Sequence, residues 1–355
     1  IAHRLLRTHH AEVNLPENFT ILDSDDQYRL IRRVLKSLNL DEKHWAPKHV
    51  QWYINGNKDE GLRPQHIETH GDATQQKMRE IYQTYQQTCD RAGLVDFAEL
   101  LLRAHELWLN NPSVLQHYQK RFRAILVDEF QDTNNIQYAW LRLLAAPSNN
   151  MIIVGDDDQS IYGWRGAKPE YILNFEREYF GCEKIKLEEN YRSTQEILDV
   201  SNWLLAQSPL EYDKELKAAR GSGIKPLLIN VHNEWDEAIY VADTIVENYT
   251  VKDKIYSDHL VLSRSQNYTR SLQAVFIERK IPFVTYGGRS FMESAHVKDL
   301  FSALRVVNNN TDEIAWMRFL TLWEGIGEVT ATKYIKELVG LGDVLQCIKF
   351  FYDNK

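Results

Sequence analysis

Ile125-Leu126-Val127-Asp128-Glu129-Phe130-Gln131-Asp132 opens as a short, wholly apolar run and closes in acids. A helical stretch over 136–145 follows it. A second apolar run, Met151-Ile152-Ile153-Val154, then ends in Gly155-Asp156-Asp157-Asp158. Apolar runs of this length alternating with helices predict a parallel sheet buried on both faces, because the crossovers that join parallel strands cover it. Open sheets of this kind bind ligands at the carboxyl ends of their strands. Both acid clusters fall at such ends.

Upstream of this core the chain reads as helical. Tyr82, Tyr85 and Cys89, and the stretch Phe97-Ala98-Glu99-Leu100-Leu101-Leu102-Arg103-Ala104, carry apolar residues at helical spacing. Asn55-Gly56-Asn57 and Gly61-Leu62-Arg63-Pro64 carry turn residues that separate helices. No strand is predicted in this region. Downstream, residues 184–187 suit a further strand, and Ser193 with Glu196 three residues on matches a capping box for the next helix. A second series follows, with strands predicted over 226–231, 260–263 and 282–285 and helices over 236–249 and 268–280. Gly287-Gly288 breaks the pattern, and the remainder from about residue 290 reads as helical. There is no internal repeat and no low-complexity tract.

At 355 residues and 43% hydrophobic content, the chain is long enough for more than one domain. The formal net charge of -8 excludes nucleic-acid binding through bulk positive charge. Any such contact must use local patches, stacking and backbone amides. The three cysteines, Cys89, Cys182 and Cys347, form no CxxC pair. They argue against a zinc site, an iron–sulfur cluster or a disulfide framework and suit a reducing cytoplasm. No apolar run approaches membrane-spanning length. The opening Ile1-Ala2-His3-Arg4-Leu5-Leu6 reads like the middle of a helix, so a segment upstream of it is expected.

Asp128 is suited to Mg²⁺, a hard cation that takes carboxylates, water and phosphate oxygens. Glu129 beside it can orient and deprotonate an attacking water. Taken alone, an acid pair after a strand is more often a helix N-terminal feature without chemistry. In the second acidic loop, Gln159 is placed to sense a γ-phosphate. Tyr162 and Trp164 offer flat faces beside the cation Arg165, and a nucleic-acid base stacked on such a ring gains about 1–3 kcal/mol whatever its identity. A tryptophan is ordinarily a core residue, but Trp164 lies between Gly163 and Arg165-Gly166, a loop setting that favours an exposed ring. Arg192, in Leu187-Glu188-Glu189-Asn190-Tyr191-Arg192-Ser193-Thr194, can stabilise the charge of phosphoryl transfer from a domain junction. An ordinary salt bridge is its alternative.

Taken in order, these segments resemble the motifs of the UvrD/Rep/PcrA-type helicases. The 128–132 segment resembles their Walker B motif, 155–166 their third motif and 187–194 their fourth. Gly93-Leu94-Val95-Asp96-Phe97-Ala98-Glu99-Leu100-Leu101 resembles a further signature upstream of Walker B. Tyr286-Gly287-Gly288-Arg289-Ser290-Phe291-Met292-Glu293 resembles the entry into the last inserted domain. The resemblance implies an α/β fold with parts of two RecA-like parallel-sheet domains, each carrying a helical insertion. Residues 1–122 would be the first insertion and 123–188 the later part of the first motor domain. Residues 189–286 would begin the second motor domain, and 287–355 its partial insertion. It further implies ATP and Mg²⁺ as cofactors, 3′-to-5′ movement on single-stranded DNA and at single/double-strand junctions, DNA-repair proteins as partners, and a cytoplasmic, nucleoid-associated setting. Gly325-Ile326-Gly327 resembles the hairpin glycines that offer backbone amides to a DNA phosphate. A plain helix–helix turn fits it equally.

The chain departs from that family in several places. It contains no GxxxxGK[ST] and no Gly-Lys pair, so the phosphate-cradling loop is absent from it. The adenine-reading segment and the fifth and sixth motifs are also missing. The polypeptide by itself is therefore expected neither to hydrolyse ATP nor to unwind DNA. The competing expectation is a non-catalytic module that kept the fold and binds single strands or a repair partner.

Overall fold

The computed structural model describes residues 1–146, 148–207, 214–287 and 295–341, with 346 and 349. They fall into two units, one formed by residues 1–184 with 299–355 and the other by 185–298.

In the first unit, α1 (Ala2–Thr8) leads to a two-residue strand, β1 (Thr20–Ile21), and then α2 (Ser24–Ser37). Asp23 caps α2 by accepting the Asp26 amide, and Leu30, Ile31, Val34 and Leu35 recur at helical spacing to form its buried stripe. α3 (Pro47–Asp59) buries Val50, Ile54 and Lys58. The Asn55-Gly56-Asn57 stretch predicted as a turn lies inside this helix. An interior glycine costs about 1 kcal/mol relative to alanine, and packing of Val50 and Ile54 into the core they share with α2 outweighs it. The Gly61–Pro64 stretch is the real turn, since helix ends at Asp59 and a 3-10 turn starts at Pro64.

α4 (Ala73–Ala92) presents Tyr82, Tyr85 and Cys89 to the same core, as their spacing predicts. The Gly93-to-Phe97 motif then explains itself residue by residue. Gly93 ends α4 in a left-handed conformation (φ +63°), and a Cβ there would stand 2.6 Å from Pro16 Cγ. Leu94 and Val95 form β2 (Leu94–Val95), fully buried and parallel to β1, a ladder that sequence reading did not predict. Asp96 caps α5 (Phe97–Asn110) by accepting the Glu99 amide at 2.8 Å.

Asp96 does more than cap. Its other oxygen accepts from Lys58 Nζ at 2.6 Å and from the Tyr85 hydroxyl at 2.8 Å. Lys58 also reaches Glu99 at 2.9 Å, and Glu99 takes Arg63 at 2.8 Å and Arg103 at 2.7 Å. Arg63 continues to Glu106, and Arg103 to Asp90. Lys58, Asp96 and Glu99 are all buried, so these charges persist only because each is paired. The network pins α3, α4 and α5 to one another.

α6 (Pro112–Arg121) returns the chain to β3 (Ile125–Val127). α7 (Asn135–Ala145) starts with a capping box between Asn134 and Gln137, and β4 (Met151–Ile153) pairs with β3 in parallel register, Ile125 with Met151 and Val127 with Ile153. The parallel pairing predicted from the apolar runs is therefore present. Burial on both faces is not: Leu126 is 73% exposed, and Ile152 on the same face is also open. Trp108 of α5 stacks on Trp140 of α7, with ring centroids 4.2 Å apart, joining the helical part to this strand pair. Short helices α8 (Glu170–Leu173) and α9 (Phe175–Glu178) pack Phe175 against Phe130 and Tyr138.

In the second unit, residues 184–187 form no strand among the described residues. The short parallel ladder there is β5 (Glu189–Asn190) with β6 (Lys217–Ala218). α10 (Gln195–Leu205) follows. The predicted Ser193–Glu196 capping box does not form, because Thr194 is the N-cap and Glu196 instead accepts the Gly223 amide. α11 (Glu234–Val251) and α12 (Arg270–Glu278) form where helices were predicted and pack Ala238, Ala242 and Ile245 against Val275 and Phe276. The strands predicted over 226–231, 260–263 and 282–285 are absent as ladders. A strand exists only through a hydrogen-bonded neighbour, and none of the described residues supplies one. Leu228 and Leu262 are accordingly exposed.

Among the described residues after 294, α13 (Ala295–Asn308), α14 (Glu313–Leu320) and α15 (Glu328–Leu338) follow, so the described part of this region is helical as predicted. Within the first unit they meet α2 through charge. Arg305 bridges Asp26 at 2.6 Å and Asp312 at 2.9 Å, Arg33 pairs with Glu313, and Ile314 joins the core formed by α2, α3 and α4.

Candidate functional site

β3 delivers Asp128 and Glu129 to its carboxyl end, where both are exposed. Asp128 Oδ1 accepts the Glu129 amide at 3.0 Å. Glu129 adopts a left-handed backbone (φ +53°, ψ +42°), which turns the chain sharply off the strand into the 3-10 turn Phe130–Asp132. β4 delivers the second loop beside it. The two strand ends are held together by the backbone pairs Val154 N to Val127 O at 2.7 Å and Phe130 N to Val154 O at 3.0 Å.

Gln131 completes that junction. It is buried; its amide nitrogen donates to Glu129 Oε2 at 2.7 Å, while its oxygen accepts the Asp156 amide at 2.9 Å. One side chain thus connects the acid of the first loop to the backbone of the second. Sequence reading assigned Gln131 no role. The available signal was an uncharged amide among acids, able to donate at one end and accept at the other.

Gln159 sits in the 3-10 turn Asp157–Gln159, and its Nε2 donates to Asp156 Oδ2 at 2.6 Å. A carboxylate oxygen from each of Asp156, Asp157 and Asp158 lies within 4.8 Å of the others. Three residues on, the chain makes a second 3-10 turn, Gly163–Arg165, closed by Gly166 at φ +82°. Trp164 stands 76% exposed there. The Arg165 guanidinium lies over both neighbouring rings, 4.6 Å from the Trp164 centroid and 5.1 Å from that of Tyr162. The arrangement offers open aromatic faces with a positive charge beside them, the chemistry that binds stacked bases and a phosphodiester backbone. Asp128, Glu129, Gln159, Tyr162, Trp164 and Arg165 therefore lie on two loops joined through Gln131.

Arg192 belongs to the second unit. Its amide donates to Asn190 Oδ1 at 2.9 Å and its carbonyl accepts from Arg220 at 2.9 Å. Its side chain is exposed, and the salt bridge weighed as its ordinary role does not form among the described residues. Gly325 and Gly327 lie in the turn between α14 and α15, with Gly325 at φ +84° and Gly327 as the N-cap of α15. A Cβ at either position would meet nothing within 4 Å, so packing does not demand glycine there; at Gly325 the left-handed backbone does. A cleft of about 760 Å³ runs beside Gly327, lined by Arg29, Arg33 and Lys36 of α2 and by Arg318. These cations were not singled out in the sequence, because they gather from two helices nearly three hundred residues apart. The 286–293 signature lies outside the described residues from Gly288 onward.

Among the described residues no helix is long and apolar enough to cross a membrane. A family model described as the UvrD/REP helicase N-terminal domain matches residues 1–180, and one described as the UvrD-like helicase C-terminal domain matches residues 185–354. DNA helicase II of Escherichia coli (strain K12) is 50% identical over 331 residues, which is 93% of this chain and 46% of that protein. DNA helicase II of Haemophilus influenzae is 49% identical, over 93% of this chain and 45% of its own length. The ATP-dependent DNA helicase PcrA of Leuconostoc citreum is 35% identical, over 95% and 45%. The chain spans about half the length of the curated relatives it matches.

Proposed function

Because this chain belongs to the UvrD/Rep helicase family, we propose that it carries the nucleotide-facing acids and the single-strand contacts of an ATP-dependent DNA helicase. The reading extends to 3′-to-5′ movement, to single/double-strand junctions as substrate and to service in DNA repair and replication, in the cytoplasm and on the nucleoid. In it, residues 1–122 are the helical insertion of the first RecA-like domain and 123–188 that domain's later part. Residues 189–286 begin the second RecA-like domain, and 287–355 belong to its insertion.

The observation that carries the reading is the Gln131 bridge. It ties Glu129, a carboxylate suited to deprotonating water, to the loop that bears Trp164. A helicase needs this kind of link, since nucleotide chemistry at one loop must be felt by the surface that grips the strand. Glu129 serves as general base, Gln159 senses the γ-phosphate, and Arg192 supplies positive charge to the transferring phosphoryl group. Asp128 fits Mg²⁺, being an exposed hard-oxygen donor at a strand end. Such an ion supplies charge neutralisation to the β- and γ-phosphates. Tyr162, Trp164 and Arg165 hold bases and backbone of the single strand. Gly325 and Gly327 hold a DNA phosphate through their backbone amides.

This chain has no phosphate-loop signature, which favours single-strand binding without turnover for the polypeptide by itself. The test is fluorescence anisotropy with a labelled oligo(dT). The chain should bind it, and Trp164→Ala should weaken binding about fivefold or more, the loss of one stacked base. Unchanged affinity would remove the aromatic loop from the single-strand site. DNA-stimulated ATP hydrolysis by this chain, abolished in Glu129→Gln, would overturn the binding-only view of it.

A further inference from the structure

The helical insertion touches the two loops at one polar point, the end of α3. Glu60 immediately follows that helix. One of its carboxylate oxygens accepts from Asn135 Nδ2 at 2.8 Å, in the segment that leaves the first loop. Lys168 Nζ lies 2.9 Å and 3.0 Å from its two oxygens and follows Trp164 by four residues. The Lys168 amide also donates to Thr133 O at 3.0 Å, and Tyr171 donates to Asn135 Oδ1. Next to Glu60, Asp59 hydrogen-bonds Asn134. Two residues before it, Lys58 is locked in the buried charge network of α3, α4 and α5. Glu60 therefore stands two residues from a buried charge network and reaches the exits of both loops.

We propose that Glu60 is a positioning residue for the aromatic loop, setting through Lys168 where Trp164 and Arg165 stand and through Asn135 where that loop lies relative to the acids. The pair is partly exposed, so its contribution to global stability is small. Its effect is on the placement of a loop that is otherwise held near Lys168 by the Lys168 amide on Thr133, the Tyr171 hydroxyl on Asn135 and the stacking of Tyr171 on Tyr138. This rests on the reading of Trp164 as a single-strand contact.

The test uses oligo(dT) anisotropy on this chain, with a thermal melt of each variant. Glu60→Ala should weaken binding about threefold to tenfold with an unchanged melting midpoint, a loss within what misplacing one stacking ring can cost. Glu60→Ala should cost little further in a Trp164→Ala background, because the ring it places is gone. The charge-reversed pair Glu60→Lys with Lys168→Glu should recover part of the lost binding, since it restores the contact to residue 168 but not the hydrogen bond from Asn135. If Trp164→Ala leaves binding unchanged, the single-strand reading of the loop fails. If Trp164→Ala weakens binding but Glu60→Ala does not, the positioning role fails and that reading stands. A lowered melting midpoint in Glu60→Ala, or a reversed pair that recovers none of the lost binding, would also overturn the positioning role.

Discussion

Gln131 Oε1 lies 2.6 Å from the position that a Cβ on Gly155 would occupy. The two residues share one space between the strand ends, with Ile172 Cδ1 2.8 Å and the Phe130 amide nitrogen 3.2 Å from the same point. The close approach, not a special backbone angle, makes glycine necessary at 155. Gly155→Ala should displace the Gln131 amide and destabilise the protein by about 1–3 kcal/mol, the usual cost of overpacking, measured by urea unfolding. Adding Gln131→Ala should return part of that loss. A Gly155→Ala variant as stable as wild type would mean that the junction relaxes freely.

Among the described residues, Lys58 is the one cation that touches both Asp96 and Glu99. Burial pushes its ammonium pKa down, and Asp96 and Glu99 more than reverse that, leaving it above the ordinary lysine range. Lys58→Met should cost about 3–5 kcal/mol, because it strands buried carboxylates without enough positive charge; the urea midpoint reports it. Burial alone would raise the Glu99 pKa, but Lys58, Arg63 and Arg103 hold it well below the usual carboxylate range. A group depressed in the folded state stabilises fully above its unfolded pKa, about 4.3 for glutamate. That contribution is lost as the pH falls below this value toward the folded pKa.

Asp59 behaves in the opposite sense. Burial raises its pKa to about 6, against a smaller lowering by its hydrogen bond with Asn134. The unfolded aspartate titrates near 3.9, so between these values the folded protein holds a proton that the unfolded chain has released. Stability from this group is present at low pH and lost as the pH rises through about 6. Asp59→Asn should therefore gain on wild type by about 1–2 kcal/mol between pH 5 and pH 8, on top of the part already gained between the unfolded pKa and pH 5. Urea midpoints of variant and wild type at both pH values check this. The difference between the two proteins isolates Asp59 from His105, whose pKa burial lowers and whose effect on stability has the other sign.

Arg305 holds two buried carboxylates, Asp26 on α2 and Asp312 at the start of α14. Asp312 also caps α14 by accepting the Ala315 amide at 3.0 Å. Arg305→Met should leave both acids short of a cation and cost about 3–5 kcal/mol. Limited proteolysis should show faster cleavage around α13 and α14, with helices α3 to α5 still protected. Equal cleavage rates would mean that Ile314 and the Arg33–Glu313 pair suffice to hold these helices.

What could be read from the sequence is what depends on near neighbours. The apolar runs at 125–127 and 151–153 forecast two parallel strands, and the spacing of Tyr82, Tyr85 and Cys89 forecast a buried helix face. Glycines on either side of Trp164 forecast an open ring. What could not be read depends on partners far along the chain. Lys58 looks like a surface lysine until α4 and α5 bring Asp96 and Glu99 onto it, 38 and 41 residues away. Gln131 looks like filler between acids until β4 brings Asp156 to its oxygen. Asn55-Gly56-Asn57 carries every local mark of a turn, and only the packing of Val50 and Ile54 keeps it helical. In the second unit the apolar segments at 226–231 and 260–263 have the composition of strands but no ladder among the described residues.

Glu129 holds a left-handed backbone that glycine or asparagine would adopt at less cost. A glutamate there carries a standing penalty of about 1 kcal/mol or more. Any procedure that ranks substitutions by folding stability alone would favour removing this side chain. Selecting this protein for thermostability alone would thus tend to erase the carboxylate proposed as the general base. Stability and chemistry compete at this one peptide, and the sequence has kept the carboxylate.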